Sequence, residues 1–232
     1  MQSIKQTIRH SPIAQNKLAK TAYWKSVALL RRTGIMAPVS PLEAGLVAYR
    51  QTSAWDLDLK SCPCDLQLVE YLRDRQIEDQ GIFHFGTGIH HIVGLENQKL
   101  TAPNEIIGIT ASHPEHESYV KLVLQNRGFE RYYKVLFCDI YALSDRSLPN
   151  FDIVSLFHLC EFYLSDQAPF SHHDDASLLN MFLQKLRPNG CIIFYDKSND
   201  WPQTQTIIEA AVSSGKIKLR EIYKNLRIYE RS

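Results

Sequence analysis

The chain has no apolar run of about 18 residues, the length that a helix needs to cross a bilayer. Its first residues, Met1 to Lys5, lack the hydrophobic stretch of a secretory signal. It has no basic excess either: 26 Lys and Arg stand against 25 Asp and Glu, a net charge of +1. That balance argues against nucleic acid or a membrane surface as a partner. There is no internal repeat and no low-complexity tract. The 5 cysteines are odd in number and scattered, which speaks against a disulfide framework and for a reducing compartment. Cys62-Pro-Cys64 is a close pair, but no second pair at ligand spacing accompanies it, so no metal site is expected. These absences leave a soluble, cytoplasmic protein. No feature of the sequence sets an oligomeric state.

What is present suffices for a folded domain. The 232 residues, 44% hydrophobic and 22% charged, can bury one full core. Residues 1–60 differ in texture from the rest. Apolar positions at Ala14, Leu18, Ala22, Val27, Leu29 and Leu30 have helical spacing, ended by Gly34. Ser40 and Pro41 read as the cap and first turn of a second helix. This segment is expected to form an N-terminal helical cap over a domain spanning 61–232. Its aromatics, Tyr23, Trp24, Tyr49 and Trp55, suit the lining of a substrate pocket. A third helix is expected from about Asp65, which would cap it.

From Gly81 onward apolar runs at 82–85, 106–110, 133–138, 151–157 and 191–195 alternate with helical patterns at 90–98, 114–126 and 176–186. Asn126-Arg-Gly128 and Pro188-Asn-Gly190 are turn signals closing two of those helices. Near-continuous apolar strands between helices imply a parallel sheet covered on both faces. After a helix at 203–213, runs at 217–223 and 226–230 flank Lys224-Asn225 and read as a closing hairpin. The expected fold is α/β: a doubly wound, mostly parallel, seven-stranded sheet with a C-terminal antiparallel hairpin.

The densest signal is the stretch from Gly81 to Gly94, a buried strand followed by the turn Gly86-Thr87-Gly88 and a helix. Glycines there let a backbone approach a nucleotide-sized ligand. Ile82-Phe-His-Phe-Gly-Thr-Gly88, Ile106-Ile-Gly-Ile-Thr-Ala-Ser112, Val135-Leu-Phe-Cys-Asp-Ile140, Phe151-Asp-Ile-Val-Ser-Leu-Phe157 and Leu186-Arg-Pro-Asn-Gly-Cys-Ile-Ile-Phe194 follow in order. Over residues 64–232 this series resembles the class I, Rossmann-like methyltransferases that use S-adenosylmethionine, with degenerate cofactor motifs. The resemblance implies S-adenosylmethionine as cofactor, held by His84, Phe85, Gly86, Thr87, Gly88, Thr110, Ala111, Asp139, Ile140 and Phe157. It also implies methylation of a small-molecule N or O nucleophile.

Three positions depart from that family. His84 stands two places before the first glycine, where an acidic residue is usual, and His90 stands where a third loop glycine is usual. Thr110 ends the second strand in place of the carboxylate that takes the ribose hydroxyls. A threonine cannot replace a bidentate charged acceptor. Asp139, implied to face the adenine amino group, is retained. A satisfied core histidine and a ligand contact both remain open for His84, and a simple turn-capping role remains open for Asp139. After the fourth strand, His158 is the candidate base, with Glu161 and His90 as further candidates. Asp196 and Asn199 resemble metal ligands of catechol-type methyltransferases, but the fourth-strand aspartate that would join them is missing. The alternative to an enzyme is a catalytically inactive pseudo-methyltransferase serving as a binding or scaffold module. A nicotinamide fingerprint fits worse, since it needs a third glycine at His91.

Overall fold

The computed structural model describes residues 54–163 and 171–232. The helices expected before residue 54, and Tyr23, Trp24 and Tyr49 on them, lie outside the described residues. Strands β1 (Gly81–Phe85), β2 (Glu105–Thr110), β3 (Tyr133–Phe137), β4 (Phe151–Ser155), β5 (Leu186–Tyr195), β6 (Ile217–Tyr223) and β7 (Leu226–Arg231) form one sheet in the order β3-β2-β1-β4-β5-β7-β6. The first five are parallel, and β7 pairs antiparallel with both β5 and β6. The expected doubly wound sheet with its closing hairpin is therefore the one observed. Helices α1 (Cys64–Asp74), α2 (Ile92–Asn97), α3 (His113–Gln125), α4 (Asp175–Lys185) and α5 (Trp201–Ser213) surround it.

The strand pleat sorts side chains onto two apolar layers. Ile82, Ile106, Ile153 and Ile193 pack with Leu68, Tyr71 and Leu72 of α1 and with Val93 of α2. Phe83, Phe85, Ile109, Val154 and Ile192 pack on the other face with Leu178, Leu179 and Phe182 of α4 and with Ile208 of α5. His84 shares the face of Ile82 and so looks toward α1. Its register partner on β4 is Ser155.

Local chemistry explains most element ends, and moves three of them from their expected places. Asp174 caps α4 through a reciprocal capping box with Ser177. Helix α1 begins one residue before Asp65 with Pro63 as its cap, which leaves the Asp65 carboxylate buried rather than capping. Helix α2 begins at Ile92 because His91 takes left-handed backbone, φ 45°. Pro188-Asn-Gly190 does not separate a helix from a strand. It sits inside β5, where the pairing with β4 shifts register between Phe151 and Ile153 and Asn189 has φ 66°.

Candidate functional site

The C-terminal ends of β1, β2, β4 and β5 open onto one cavity of about 520 Å³, where ligands gather in open α/β sheets. The chain between residues 55 and 65 forms one wall, the loop after β1 another, and the loops after β4 and β5 the rest. Gly86 and Gly88, both with positive φ, let the β1 loop turn there. A Cβ on Gly86 would lie 3.1 Å from the His158 ring, and one on Gly88 would meet the Trp55 carbonyl at 2.9 Å. The loop thus fits closely around its own chain: the Ile89 N–H donates to the Trp55 carbonyl at 2.8 Å. The loop after β4 is shaped by Cys160, held at φ 73° with its N–H donating to Asp175.

A carboxylate does stand at the end of β2. Glu115, on the first turn of α3 and only 2% exposed, lines the cavity. The Thr110 hydroxyl donates to its Oε2 at 2.6 Å, and the Trp55 N–H donates to its Oε1 at 3.0 Å. Thr110 accepts the Ser112 N–H at 2.9 Å. That bond satisfies the cap's own donor, so Glu115 need not fold back onto it. Burial pushes the Glu115 carboxyl above its usual range, while the Thr110 and Trp55 bonds pull the other way.

A second polar group crosses the wall between α1 and the β1 loop. Asp65 Oδ1 lies 3.5 Å from His84 Nε2, and its Oδ2 lies 3.4 Å from His90 Nε2. Burial raises the Asp65 carboxyl to about 7 and lowers His84 to about 3, so the latter is neutral at physiological pH. His84 Nδ1 shares a 2.8 Å hydrogen bond with Ser155. Cys64 links Asp65 to His158, whose Nδ1 lies 3.2 Å from Glu161 Oε1, off the line of a good hydrogen bond. Burial disfavours the His158 cation, but Cys62 and Glu161 outweigh it and raise the imidazole to about 10. Cys62 is drawn well below the usual thiol range by hydrogen bonding to Cys64 and then to His158. Glu161 also accepts the Asn199 N–H at 2.9 Å, tying the β4 loop to the β5 loop.

Of the residues expected from sequence, Phe85, Gly86, Gly88, His158 and Glu161 line this cavity together. His84 lies just behind its wall, fully buried. Thr87 is buried with its methyl facing Gly108, and Phe157 is a core ring beside His84 and Tyr195. Thr110 serves Glu115. Asp139 accepts the Tyr141 N–H at 3.0 Å and caps a short 3₁₀ turn, in which Ile140 is buried. Ala111, Asp139 and Ile140 are not among the described lining residues. Asp196 pairs with Arg227 at 2.6 Å, and Asn199 bonds Glu161. Sequence reasoning missed Glu115, although Ser112-His-Pro-Glu115 has the spacing of a capping box. It also missed Asp65 and Cys62 as site residues, because their partners are distant in the chain.

No protein-family model matches the chain, and no curated protein matches it in sequence. Solved structures match it in shape. The CcbJ methyltransferase of Streptomyces caelestis superposes with a TM-score of 0.55 at 9% identity, covering 77% of this chain and 93% of its own. Magnesium protoporphyrin IX methyltransferase of Synechocystis, solved with S-adenosylmethionine bound, gives 0.53 at 10% identity over 85% and 100%. A precorrin-8w decarboxylase of Methanobacterium thermoautotrophicum gives 0.50 at 11% identity over 79% and 96%. Its named chemistry is a decarboxylation, and at such identity the likeness carries the fold and not an activity. No described helix is long and apolar enough to cross a membrane. By its sheet order, antiparallel hairpin and these superpositions, the described domain has the fold of the class I S-adenosylmethionine-dependent methyltransferases.

Proposed function

We propose that this protein is an S-adenosylmethionine-dependent methyltransferase acting on an N or O nucleophile of a small molecule. The observation that carries the reading is Glu115. It brings a buried carboxylate to the end of β2, on the same cavity as the Gly86–Gly88 turn, and so offers the acidic acceptor that Thr110 cannot. Each Glu115 oxygen accepts one hydrogen bond from the protein and retains a lone pair for a ribose hydroxyl. The glycine turn allows close backbone approach, and Phe85 offers an apolar surface. When bound, the cofactor supplies an electrophilic methyl group on a sulfonium. The protein's own part is alignment, worth roughly 7–11 kcal/mol in well-oriented reactions. His158, held as a cation by Cys62 and Glu161, orients a polar substrate group instead of taking its proton. Asp65 and His90, 3.4 Å apart on the same cavity, are placed to accept that proton.

Calorimetry of the full chain with S-adenosylmethionine and with its demethylated product tests this. Both should bind, and Glu115→Gln should weaken both about tenfold or more, the scale of one charged hydrogen bond of ~1.5–3 kcal/mol. No heat and no thermal shift with either ligand at millimolar concentration would overturn the reading. A second reading, a non-catalytic binding module, is favoured by one observation. The Ile89 N–H, a donor of the glycine loop, is already engaged by Trp55. That reading expects no cofactor binding.

A further inference from the structure

Two cysteines that the methyl-transfer reading uses only as partners of His158 meet that imidazole on the cavity wall, although Cys64 and His158 are 94 residues apart in the chain. One ligand atom from each of Cys62, Cys64 and His158 lies within 4.8 Å of the other two. We propose that Cys62, Cys64 and His158 hold a divalent metal ion of the zinc class, with a fourth position open to the cavity.

The distances suit such an ion. Zinc bonds of ~2.3 Å to sulfur and ~2.05 Å to nitrogen, at tetrahedral angles, set ligand edges of about 3.8 Å between sulfurs and about 3.6 Å from sulfur to nitrogen. The observed Sγ···Sγ separation is 3.5 Å, and Cys64 Sγ lies 4.0 Å from His158 Nε2. Each needs a shift of about 0.4 Å or less to meet those edges. The donor set also selects the metal. Two thiolates and an imidazole favour zinc over magnesium or calcium, which take oxygen ligands.

The surroundings prepare the ligands. Cys62 and Cys64 flank Pro63 at the N-terminus of α1, a helix of 11 residues, where backbone N–H groups favour thiolate charge. Glu161 stands 3.2 Å from His158 Nδ1, the outer-shell carboxylate that commonly fixes a ligating imidazole and leaves Nε2 for the metal. Metal binding would release ligand protons to solvent, and the metal's open position would then orient the substrate group in place of the His158 cation. Among the described residues no further His, Cys, Asp or Glu joins the three at this spacing; Asp65, 3.6 Å from Cys64 Sγ, is not part of the group. All three ligands line the cavity. A small molecule with a thiolate or anionic oxygen could therefore take the fourth place. The inference stands on these side chains and holds whether or not S-adenosylmethionine binds.

The test uses the full chain, reduced, stripped with a chelator and titrated with cobalt(II). The expected result is saturation at one equivalent, with a thiolate-to-cobalt charge-transfer band and the intense visible bands of a tetrahedral ion, both removed by zinc. Cys62→Ser and His158→Ala should each weaken cobalt binding at least tenfold, while Cys138→Ser should not. Cys62 is half-buried and serine is nearly its size, so that variant should keep the metal-free circular dichroism of the parent even if changes at buried Cys64 do not. Zinc should also protect Cys62 from alkylation, as mapped by mass spectrometry. Three results would each overturn the proposal: cobalt bands that persist in both variants, a Cys62 alkylated equally with and without zinc, or a Cys62–Cys64 disulfide in place of bound metal. The second of these would mark a bare thiolate–imidazolium pair.

Discussion

Glu115 shows how one side chain can change the meaning of another. At the end of β2 the sequence offers Thr110 where a carboxylate is wanted, and the structure uses Thr110 to hold a carboxylate from five residues further on. The arrangement has a measurable cost. Burial raises the Glu115 carboxyl above 4.5, so between 4.5 and its native value the folded state binds more protons than the unfolded state. Stability then falls as pH rises through that window, and ionised Glu115 opposes folding at neutral pH. Glutamine carries no such charge. The urea midpoint of the parent relative to Glu115→Gln should therefore rise as pH is lowered from 7 toward 4.5. A difference that stays constant, or moves the other way, would mean that the carboxylate is better solvated than its burial indicates. Ser112-His-Pro-Glu115 has the spacing of a capping box, a signal that sequence reasoning passed over. The turn of Glu115 toward the cavity was not legible, because that depends on Thr110 satisfying the Ser112 N–H.

Among the elements, α2 packs closely on the sheet at Gly94. A Cβ on Gly94 would come 2.5 Å from the ring of Tyr133, which is fully buried and whose hydroxyl meets His91 Nδ1 at 3.2 Å. Gly94→Ala should gain a little from helix propensity, but overpacking typically costs about 1–3 kcal/mol. The net expectation is a lower urea midpoint, together with loss of the His91–Tyr133 contact in the histidine NMR signals. An unchanged midpoint would show that α2 can lift off Tyr133 freely. The strands were legible because buried parallel strands are written as apolar runs, and the hairpin because a turn separates two such runs. Boundaries failed where a single backbone choice decided them. His91 delays α2 by going left-handed, and Asn189 lets β5 pass through a sequence that reads as a turn. The glycine loop was legible as a tight turn, whereas its close fit around His158 and Trp55 was not, since both neighbours are remote in sequence.

At the scale of the whole molecule, the C-terminal hairpin is joined to the cavity. Arg227 on β7 pairs with Asp196 at 2.6 Å, and the Asp196 N–H donates to the Asn225 carbonyl at 2.9 Å. The next three residues, Lys197, Ser198 and Asn199, line the cavity, and the Asn199 N–H holds Glu161 beside His158. The hairpin thus steadies the loop that steadies the candidate site. Sequence made both ends of this connection visible, the hairpin as a fold element and Glu161 as a site residue, but not the ion pair between them. Replacing Arg227 by methionine keeps much of the stem and removes the charge. Asp196 is then left nearly buried beside a partner that no longer answers it. Breaking a buried pair costs about 3–5 kcal/mol; with the Arg227 side chain 30% exposed, solvent screening reduces this to roughly 1–3 kcal/mol. Asp196→Asn in the same chain should restore most of the loss, since no charge is then stranded. Hydrogen exchange separates a local effect from a global one. In Arg227→Met the Asn199 amide should exchange faster under native conditions, while the amides of β1 should change only as far as global stability does. Equal acceleration at both sites would mean that the hairpin supports the sheet as a whole and has no particular hold on the cavity.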